Sequence, residues 1–140
     1  MNFNVCRSIS STAKQWLLGM AFFVASSSAV YAGTGPVQVV QVSGKSILAA
    51  DTGRTLYVFD QDKTSDSTCY AACALAWPAA TTNVADLKAP FGRSTRRDGS
   101  QQITYQGRPL YRYFADLSKG DTRGDGFGGT WHVVVVAPSH

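Results

Sequence analysis

The sequence predicts a mainly β protein: a compact antiparallel β domain with an approximate internal two-fold repeat and one short helix near residues 69–77. Three observations lead to this prediction: a motif that recurs at a fixed spacing, a turn signal before each copy of it, and an acidic complement made only of aspartate. Aspartate favours turns and caps over helix interiors. Nine aspartates without any glutamate therefore favour strands and loops.

The repeat becomes visible when the chain is displaced by 54 residues against itself. Trp77 then aligns with Trp131, and the other aligned pairs are Gly53–Gly107, Arg54–Arg108, Leu56–Leu110, Tyr57–Tyr111, Phe59–Tyr113 and Asp62–Asp116. Seven aligned positions in one register indicate an internal duplication, with repeats at about 44–78 and 98–134. Two copies are too few for a solenoid, so we expect both to share one core that the tryptophans help to close.

Residues 1–32 have the features of a Sec-type signal peptide. Two basic residues precede a ten-residue apolar stretch at 16–25, and "VYA" offers a cleavage site near Ala32. The apolar stretch is shorter than the roughly 20 residues that a membrane-spanning helix needs. We therefore expect a periplasmic or secreted protein, with residues 33–140 as a single β-rich domain and no membrane span after processing.

The charge of residues 33–140 is nearly balanced. Eleven basic and nine acidic side chains leave a net charge of +2. This excess is too small to indicate a nucleic-acid partner. The partner we expect is an unknown ligand or protein of the bacterial envelope, and the sequence does not predict an oligomeric state.

The strands are predicted from apolar stretches and turns. "VQVVQV" at 37–42 predicts an early strand that pairs at one side. Apolar stretches flank "DTG" at 51–53 and "QG" at 106–107, which predicts a hairpin at the start of each repeat. Because side chains alternate along a strand, the motif tyrosines should lie on one face and the leucines that precede them on the other.

The segments between and after the motifs differ from each other. "CYAACALAW" at 69–77 predicts the short helix, which Pro78 stops. Residues 78–100 are expected to be an ordered loop that exposes a basic group at Arg93, Arg96 and Arg97 to solvent. The apolar run at 133–136 is typical of a central strand buried on both faces.

Cys69 and Cys73 are the two cysteines that follow the predicted signal peptide. In an exported protein such a pair most simply forms a disulfide. One helical turn would place their Cα atoms roughly 6 Å apart, within bridging range. The alternative is a redox or metal-handling role, although Cys-x-x-x-Cys is not the usual redox spacing.

Several of these motifs together resemble a known family. The doubled Tyr-x-aromatic-x-x-Asp motif, the Cys-x-x-x-Cys-x-x-x-Trp-Pro stretch at 69–78 and "GDTRGDGFGGTWHVV" are similar to the bacterial secreted-repeat family, whose members are often described as predicted lipoproteins. The resemblance covers roughly residues 37–137 and implies an exported envelope protein of uncharacterised role. The sequence offers no cysteine for a lipid anchor on the mature chain, because Cys6 precedes the apolar stretch.

The motif residues are also the candidate ligand face. Tyrosine combines a flat apolar ring with a polar group, which suits a glycan or a planar ligand. The alternative is that the aromatic residues form the core of the repeat and that the aspartates cap strand ends. The candidate residues are Tyr57, Phe59, Asp62, Tyr111, Tyr113 and Asp116.

Catalysis and metal binding have fewer indications in the sequence. The metal-ligand candidates are Asp116, Asp121, Asp125 and His132, but their spacing does not match a calcium-binding loop. We expect no other cofactor, and no nucleophile motif is present. The sequence thus leaves enzymatic activity open and favours a non-enzymatic binding or structural module. The alternative function is a periplasmic redox or metal-handling protein that uses the Cys69/Cys73 pair and the Asp-rich loop.

Overall fold

The structure is a computed structural model that describes residues 35–137. The predicted signal peptide at 1–32 and the C-terminal His140 lie outside the described residues.

The described chain consists of short strands, one α-helix and one 3-10 turn. In chain order they are β1 (Val37–Val42), β2 (Lys45–Ala50), β3 (Tyr57–Phe59), α1 (Ala72–Ala76), β4 (Phe91–Thr95), β5 (Gln101–Tyr105), β6 (Arg108–Pro109), the 3-10 turn (Phe127–Gly129) and β7 (Trp131–Val133). All four strand pairs among them are antiparallel. The predicted mainly β, antiparallel fold with one short helix is therefore confirmed.

The two repeats interleave rather than lie side by side. β1 pairs with β2, and β4, β5 and β6 form a second sheet in that order. β3 of the first repeat pairs with β7 of the second. Isolated bridges such as Ile47 with Val135, and Tyr57 with Tyr111, connect these sheets. Each repeat thus completes its hydrogen bonding with strands of the other.

Tight turns define the hairpins. Gln106 and Gly107 have φ of 49° and 75°, the pair of positive values that a two-residue type I′ hairpin turn requires. Ser43 and Gly44 form a similar turn between β1 and β2, with φ of 49° and 77°. Gly53, at φ 83°, donates its backbone N–H to Ala50. The hairpins predicted at 51–53 and 106–107 are confirmed, and the Ser43–Gly44 turn was not foreseen.

Two hydrophobic clusters lie on opposite sides of the two motif segments, at residues 56–59 and 110–113. Leu56 and Leu110 belong to an aliphatic core, while their neighbours Tyr57 and Tyr111 belong to an aromatic core. The alternation predicted from the motif is therefore confirmed. The aliphatic core contains Leu48, Leu56, Val58, Ala80, Ile103, Leu110 and Val134. The aromatic core contains Tyr57, Cys69, Trp77, Tyr111, Tyr113 and Trp131.

The helix is shorter than predicted, and a disulfide links it to the segment before it. α1 covers Ala72–Ala76 rather than 69–77, and the backbone N–H of Trp77 donates to Cys73 at its end. Cys69 and Cys73 form the predicted disulfide, with Cα atoms 5.3 Å apart. Because the bridge closes only a short loop, it stabilises this turn locally.

Two of the predictions about loops and strands were wrong. Residues 78–100 are not a continuous loop, because Phe91–Thr95 forms strand β4 against β5. The pattern gave no sign of this strand, since "FGRST" contains a single large apolar side chain. The run at 133–136 has backbone partners on both sides, but Val135 is 57% exposed, so the run is not buried on both faces.

Candidate functional site

The motif tyrosines and aspartates form two crossed hydrogen-bonded pairs. The Tyr57 hydroxyl donates to Asp116 Oδ2 at 2.6 Å, and the Tyr111 hydroxyl donates to Asp62 Oδ2 at 2.5 Å. The tyrosine of each repeat is therefore bonded to the aspartate of the other repeat. The sequence identified all four residues but not the crossing.

The same two tyrosines meet at the centre of the pseudo-symmetry. The backbone N–H of Tyr57 donates to the Tyr111 carbonyl at 2.8 Å, and the reverse bond is 2.9 Å long. Such a mutual pair is the hydrogen-bonded pair of an antiparallel ladder. Because aligned residues bond to each other, the approximate two-fold axis passes between them.

The two aligned tryptophans stack face to face on this axis. The ring centroids of Trp77 and Trp131 lie 3.8 Å apart with an interplanar angle of 1°. Phe59 stacks on Trp131 at 4.1 Å, and Tyr113 stacks on Trp77 at 4.3 Å. The result is a four-ring stack, Phe59–Trp131–Trp77–Tyr113, in which each tryptophan is covered by the motif aromatic residue of the other repeat.

The motif residues lie in the interior. Tyr57, Tyr111 and Asp116 have no accessible surface, and Asp62 and Tyr113 are buried as well. A ligand can reach Phe59, which is only partly buried, but not the two hydroxyls that the motif pairs with carboxylates. Ligand binding at the motif stays a prediction, and Phe59 is the one motif residue that is not buried.

Burial controls the protonation of the crossed pairs. Burial raises the pKa of the Asp116 carboxyl, although the Tyr57 hydroxyl bond opposes this effect. Burial, together with the bonded aspartates, raises the pKa of both Tyr57 and Tyr111 well above the usual value near 10. Both hydroxyls therefore remain protonated donors at neutral pH.

The carboxylates of Asp62 and Asp116 accept different numbers of hydrogen bonds. Asp62 also accepts from the backbone N–H and the hydroxyl of Thr68, at 2.8 and 2.6 Å. Among residues 35–137, Asp116 accepts from the Tyr57 hydroxyl and from the backbone N–H of Arg123, the latter at 3.0 Å. Both aspartates thus accept N–H bonds from loops that follow them in the chain, and Asp116 is the carboxylate that depends more on its tyrosine.

A buried arginine network surrounds the Tyr111–Asp62 pair. Arg96 is 7% exposed and donates to Ser67 Oγ, Gln102 Oε1 and the Cys69 carbonyl at 2.7–2.8 Å. Ser67 Oγ in turn lies 2.7 Å from the Tyr111 hydroxyl. The prediction that Arg96 is solvated was wrong, because these acceptors compensate its desolvation. Arg93 and Arg97 are exposed, as expected.

The metal-ligand candidates do not converge on one point. Asp121 accepts the N–H groups of Leu117 and Ser118, and Asp125 accepts that of Val133. His132 Nε2 instead lies 2.8 Å from Asp60 Oδ2. Within residues 35–137, no group of three His, Cys, Asp or Glu side chains could hold a metal ion. The carboxylates of this loop stabilise its own turns, and metal binding stays a prediction.

A half-buried charged cluster forms beside β3 and β7. Asp60 pairs with Arg108 at 3.2 Å and with His132 at 2.8 Å. The hydrogen bond from His132 lowers the pKa of the Asp60 carboxyl, with a smaller effect from Arg108. Pairs with this much solvent exposure contribute little to stability. The sequence offered no signal for this cluster, since its members lie far apart along the chain.

A groove has a volume of about 480 Å³. Residues 35–36 and 50–52 line one part of it, and residues 80–84, Ile103 and Arg112 line the rest. This volume is within the range of small-molecule sites. Arg112 is the one Lys or Arg in its lining, and its Nε is buried without a hydrogen-bond partner among residues 35–137. No carboxylate within that range lies at ion-pair distance from it. The polar lining comprises Asp51, Thr52, Thr81, Thr82, Asn83 and Arg112.

A comparison with protein families accounts for the repeat. A family model described as a secreted repeat of unknown function matches residues 38–81 and 92–135. The two matches cover more than half of the chain and keep the 54-residue displacement. The chain belongs to this secreted-repeat family. The matched segments are longer than the predicted repeats at 44–78 and 98–134, because each includes a strand before the hairpin, β1 or β4.

Membership of the secreted-repeat family confirms the resemblance seen in the motifs and suggests export. Neither the curated proteins nor the solved structures compared with the chain gave a match. No helix in the described part of the chain, residues 35–137, is long and apolar enough to cross a membrane.

The secreted repeats differ from each other at Arg112, which the sequence analysis missed. The aligned residue of the first repeat is Val58, which is buried in the aliphatic core. One copy therefore buries valine where the other directs a guanidinium towards a groove. The signal was available in the alignment of the two copies, as a charge at a position that the other copy keeps apolar.

Gly124 limits the space beside the aromatic stack of the secreted repeat. A Cβ atom added to it would lie 2.6 Å from Trp77 Cη2 and 3.1 Å from Tyr113 Cγ. We expect Gly124→Ala to lower the free energy of unfolding by about 1–3 kcal/mol, because the stacked rings must move. Urea unfolding measures the change. Gly35→Ala is the control, since nothing lies within 4 Å of its added Cβ, and equal effects of the two substitutions would refute this explanation.

Proposed function

We propose that the protein is a non-enzymatic binding module of the bacterial envelope, exported by a cleaved signal peptide, and that it takes a small anionic ligand in the groove beside Arg112. The observation that carries this proposal is the guanidinium that lines the groove without a carboxylate partner among residues 35–137.

The chemistry of arginine supports an anionic ligand. A guanidinium presents a planar set of donors that matches a carboxylate or a phosphate. Arg112 uses its Nη2 only for a 3.5 Å contact with the Ala79 carbonyl. Nη1 makes no hydrogen bond among residues 35–137 and, unlike Nε, is not buried, so it is the group that would donate to a bound anion. Asp51 lines the same groove, so the ligand should carry a small anionic group near Arg112 rather than charge along its whole length.

The burial of the motif tyrosines and aspartates supports a non-enzymatic role. Tyr57, Tyr111, Asp62 and Asp116 bond to one another and stabilise the fold, so they are not available as acid or base groups for a substrate. The redox and metal-handling alternative has less support. Cys69 is buried in its disulfide, and the described residues gather no metal-binding group.

Nuclear magnetic resonance of the ¹⁵N-labelled exported protein tests the binding site. Titration with succinate and with inorganic phosphate should shift the amide signals of Thr52, Thr82 and Arg112. We expect Arg112→Gln to weaken binding by about tenfold or more, because a charge-assisted hydrogen bond is lost.

Arg93→Gln is the matched control, since it removes the same group from an exposed position outside the groove. It should leave binding unchanged. Binding that is insensitive to Arg112→Gln would disprove the ligand site. A substrate turnover that requires Arg112 would disprove the non-enzymatic role.

A further inference from the structure

The first strand of the domain has an open edge. β1 pairs with β2, and within residues 35–137 no strand pairs with its other side. On β2, the backbone of Leu48 bonds away from β1, to Val134 and to Leu56. Leu48 lies opposite Val39, so these two residues form a non-hydrogen-bonded pair of the ladder. The backbone groups of Val37, Val39 and Gln41 therefore point towards the open edge.

This edge lacks the usual protection. Natural edge strands carry charges, proline or bulges that prevent pairing with another chain. "VQVVQV" contains no charge and no proline, and Val39 at its centre is 40% exposed. β4 is the aligned strand of the second repeat, and it carries the exposed Arg93 where β1 carries Val39. Of these two aligned edge strands, β4 therefore carries a charge that opposes pairing with another chain, and β1 does not.

We propose that the β1 edge binds the β1 edge of a second copy of this protein, antiparallel, across a two-fold axis at Val39. The outward residues are symmetric about this position. Val39 would pair with Val39 of the second copy, and Val37 with its Gln41. All three outward residues of each copy then find partners, which gives about six interstrand hydrogen bonds.

The charge pattern is compatible with a second copy as the partner of β1. A two-fold interface places each central residue next to its own counterpart, so a charge at the centre would face a like charge. β1 carries no charge and can meet itself without this repulsion. The same contact at β4 would bring two Arg93 side chains together. The surface that tolerates self-pairing is therefore β1.

Sedimentation velocity of the exported protein over a concentration series tests the dimer. Val39→Arg gives β1 the charge that β4 already carries, and we expect it to raise the dissociation constant about a hundredfold or more, because like charges would meet at the axis. The circular dichroism spectrum of the monomer should not change. Val39→Thr is the control, because it keeps a β-branched uncharged side chain, and it should leave the dimer intact.

A second variant identifies the axis itself. Val39→Cys places two thiols on a hydrogen-bonded cross-strand pair, where Cα atoms lie about 5.5 Å apart and a disulfide can form. Mild oxidation should yield a covalent dimer, whereas Val40→Cys, whose backbone points to β2, should yield much less. A protein that is monomeric at every concentration, or a dimer that survives Val39→Arg, would overturn the proposal. Arg112→Gln should not affect the dimer, so this test is independent of ligand binding.

Discussion

Replacing Trp131 by alanine is expected to lower the free energy of unfolding by about 3–5 kcal/mol, the largest effect of any single substitution considered for this protein. Trp131 is almost completely buried and lies between Phe59 and Trp77, with Tyr111 at its edge. Its removal would leave a cavity at the centre of the shared core. A loss of this size is a large fraction of the stability of a domain.

Urea unfolding followed by far-ultraviolet circular dichroism measures this loss. Phe127→Ala is the control, since Phe127 is 52% exposed and touches Trp77 only through an edge contact. It should cost less than about 1 kcal/mol. If both substitutions destabilised the protein equally, the stack would not be the centre of the core.

Replacing Tyr57 by phenylalanine is expected to lower the free energy of unfolding by about 2–3 kcal/mol at neutral pH. Among the residues that the structure describes, the substitution leaves the buried Asp116 carboxylate with one donor, the N–H of Arg123. A buried charged group that loses a hydrogen bond retains its desolvation cost. Tyr111→Phe is the matched comparison and should cost less, because Asp62 keeps both Thr68 donors. An equal or larger loss in Tyr111→Phe would contradict this explanation.

The cost of Tyr57→Phe should depend on pH. The pKa of Asp116 is raised in the folded protein, so the contribution of this carboxyl to stability is fully present below its unfolded pKa near 3.8 and is lost as pH rises through the folded value. Without Tyr57 the folded pKa rises further, because a donor that lowered it is gone. The destabilisation should therefore be smaller at about pH 4 than at about pH 7.

Unfolding at both pH values, repeated in an Asp116→Asn background, isolates this effect. The variant with asparagine lacks the titrating group, so Tyr57→Phe should then have the same cost at both pH values. A pH-independent cost in the natural background would show that the Tyr57–Asp116 bond does not govern the protonation of the carboxyl.

Local sequence patterns predicted the features that neighbouring residues determine. The alternation of Leu56 and Tyr57, the turn at Gln106–Gly107 and the bridge between Cys69 and Cys73 each depend on a few consecutive residues. The shared tryptophan core followed from the duplication alone, because two copies of a buried residue need a common interior.

Features that depend on distant partners were not predictable in this way. The burial of Arg96 requires acceptors at Ser67 and Cys69, which lie almost 30 residues away in the sequence. Strand β4 is defined by its backbone pairing with β5 rather than by its side chains. The same sequence is compatible with tyrosine–aspartate pairs within one repeat and with pairs between the two repeats. The motif shows which groups can pair, but it does not show which repeat supplies the partner.

The crossed pairs make each repeat depend on the other. A lone repeat would contain a tyrosine hydroxyl and a carboxylate that do not bond to each other in this arrangement. Its motif tyrosine would also lack the backbone partner on the other side of the internal axis. We therefore expect the two repeats to unfold together as one cooperative unit rather than as two separate ones.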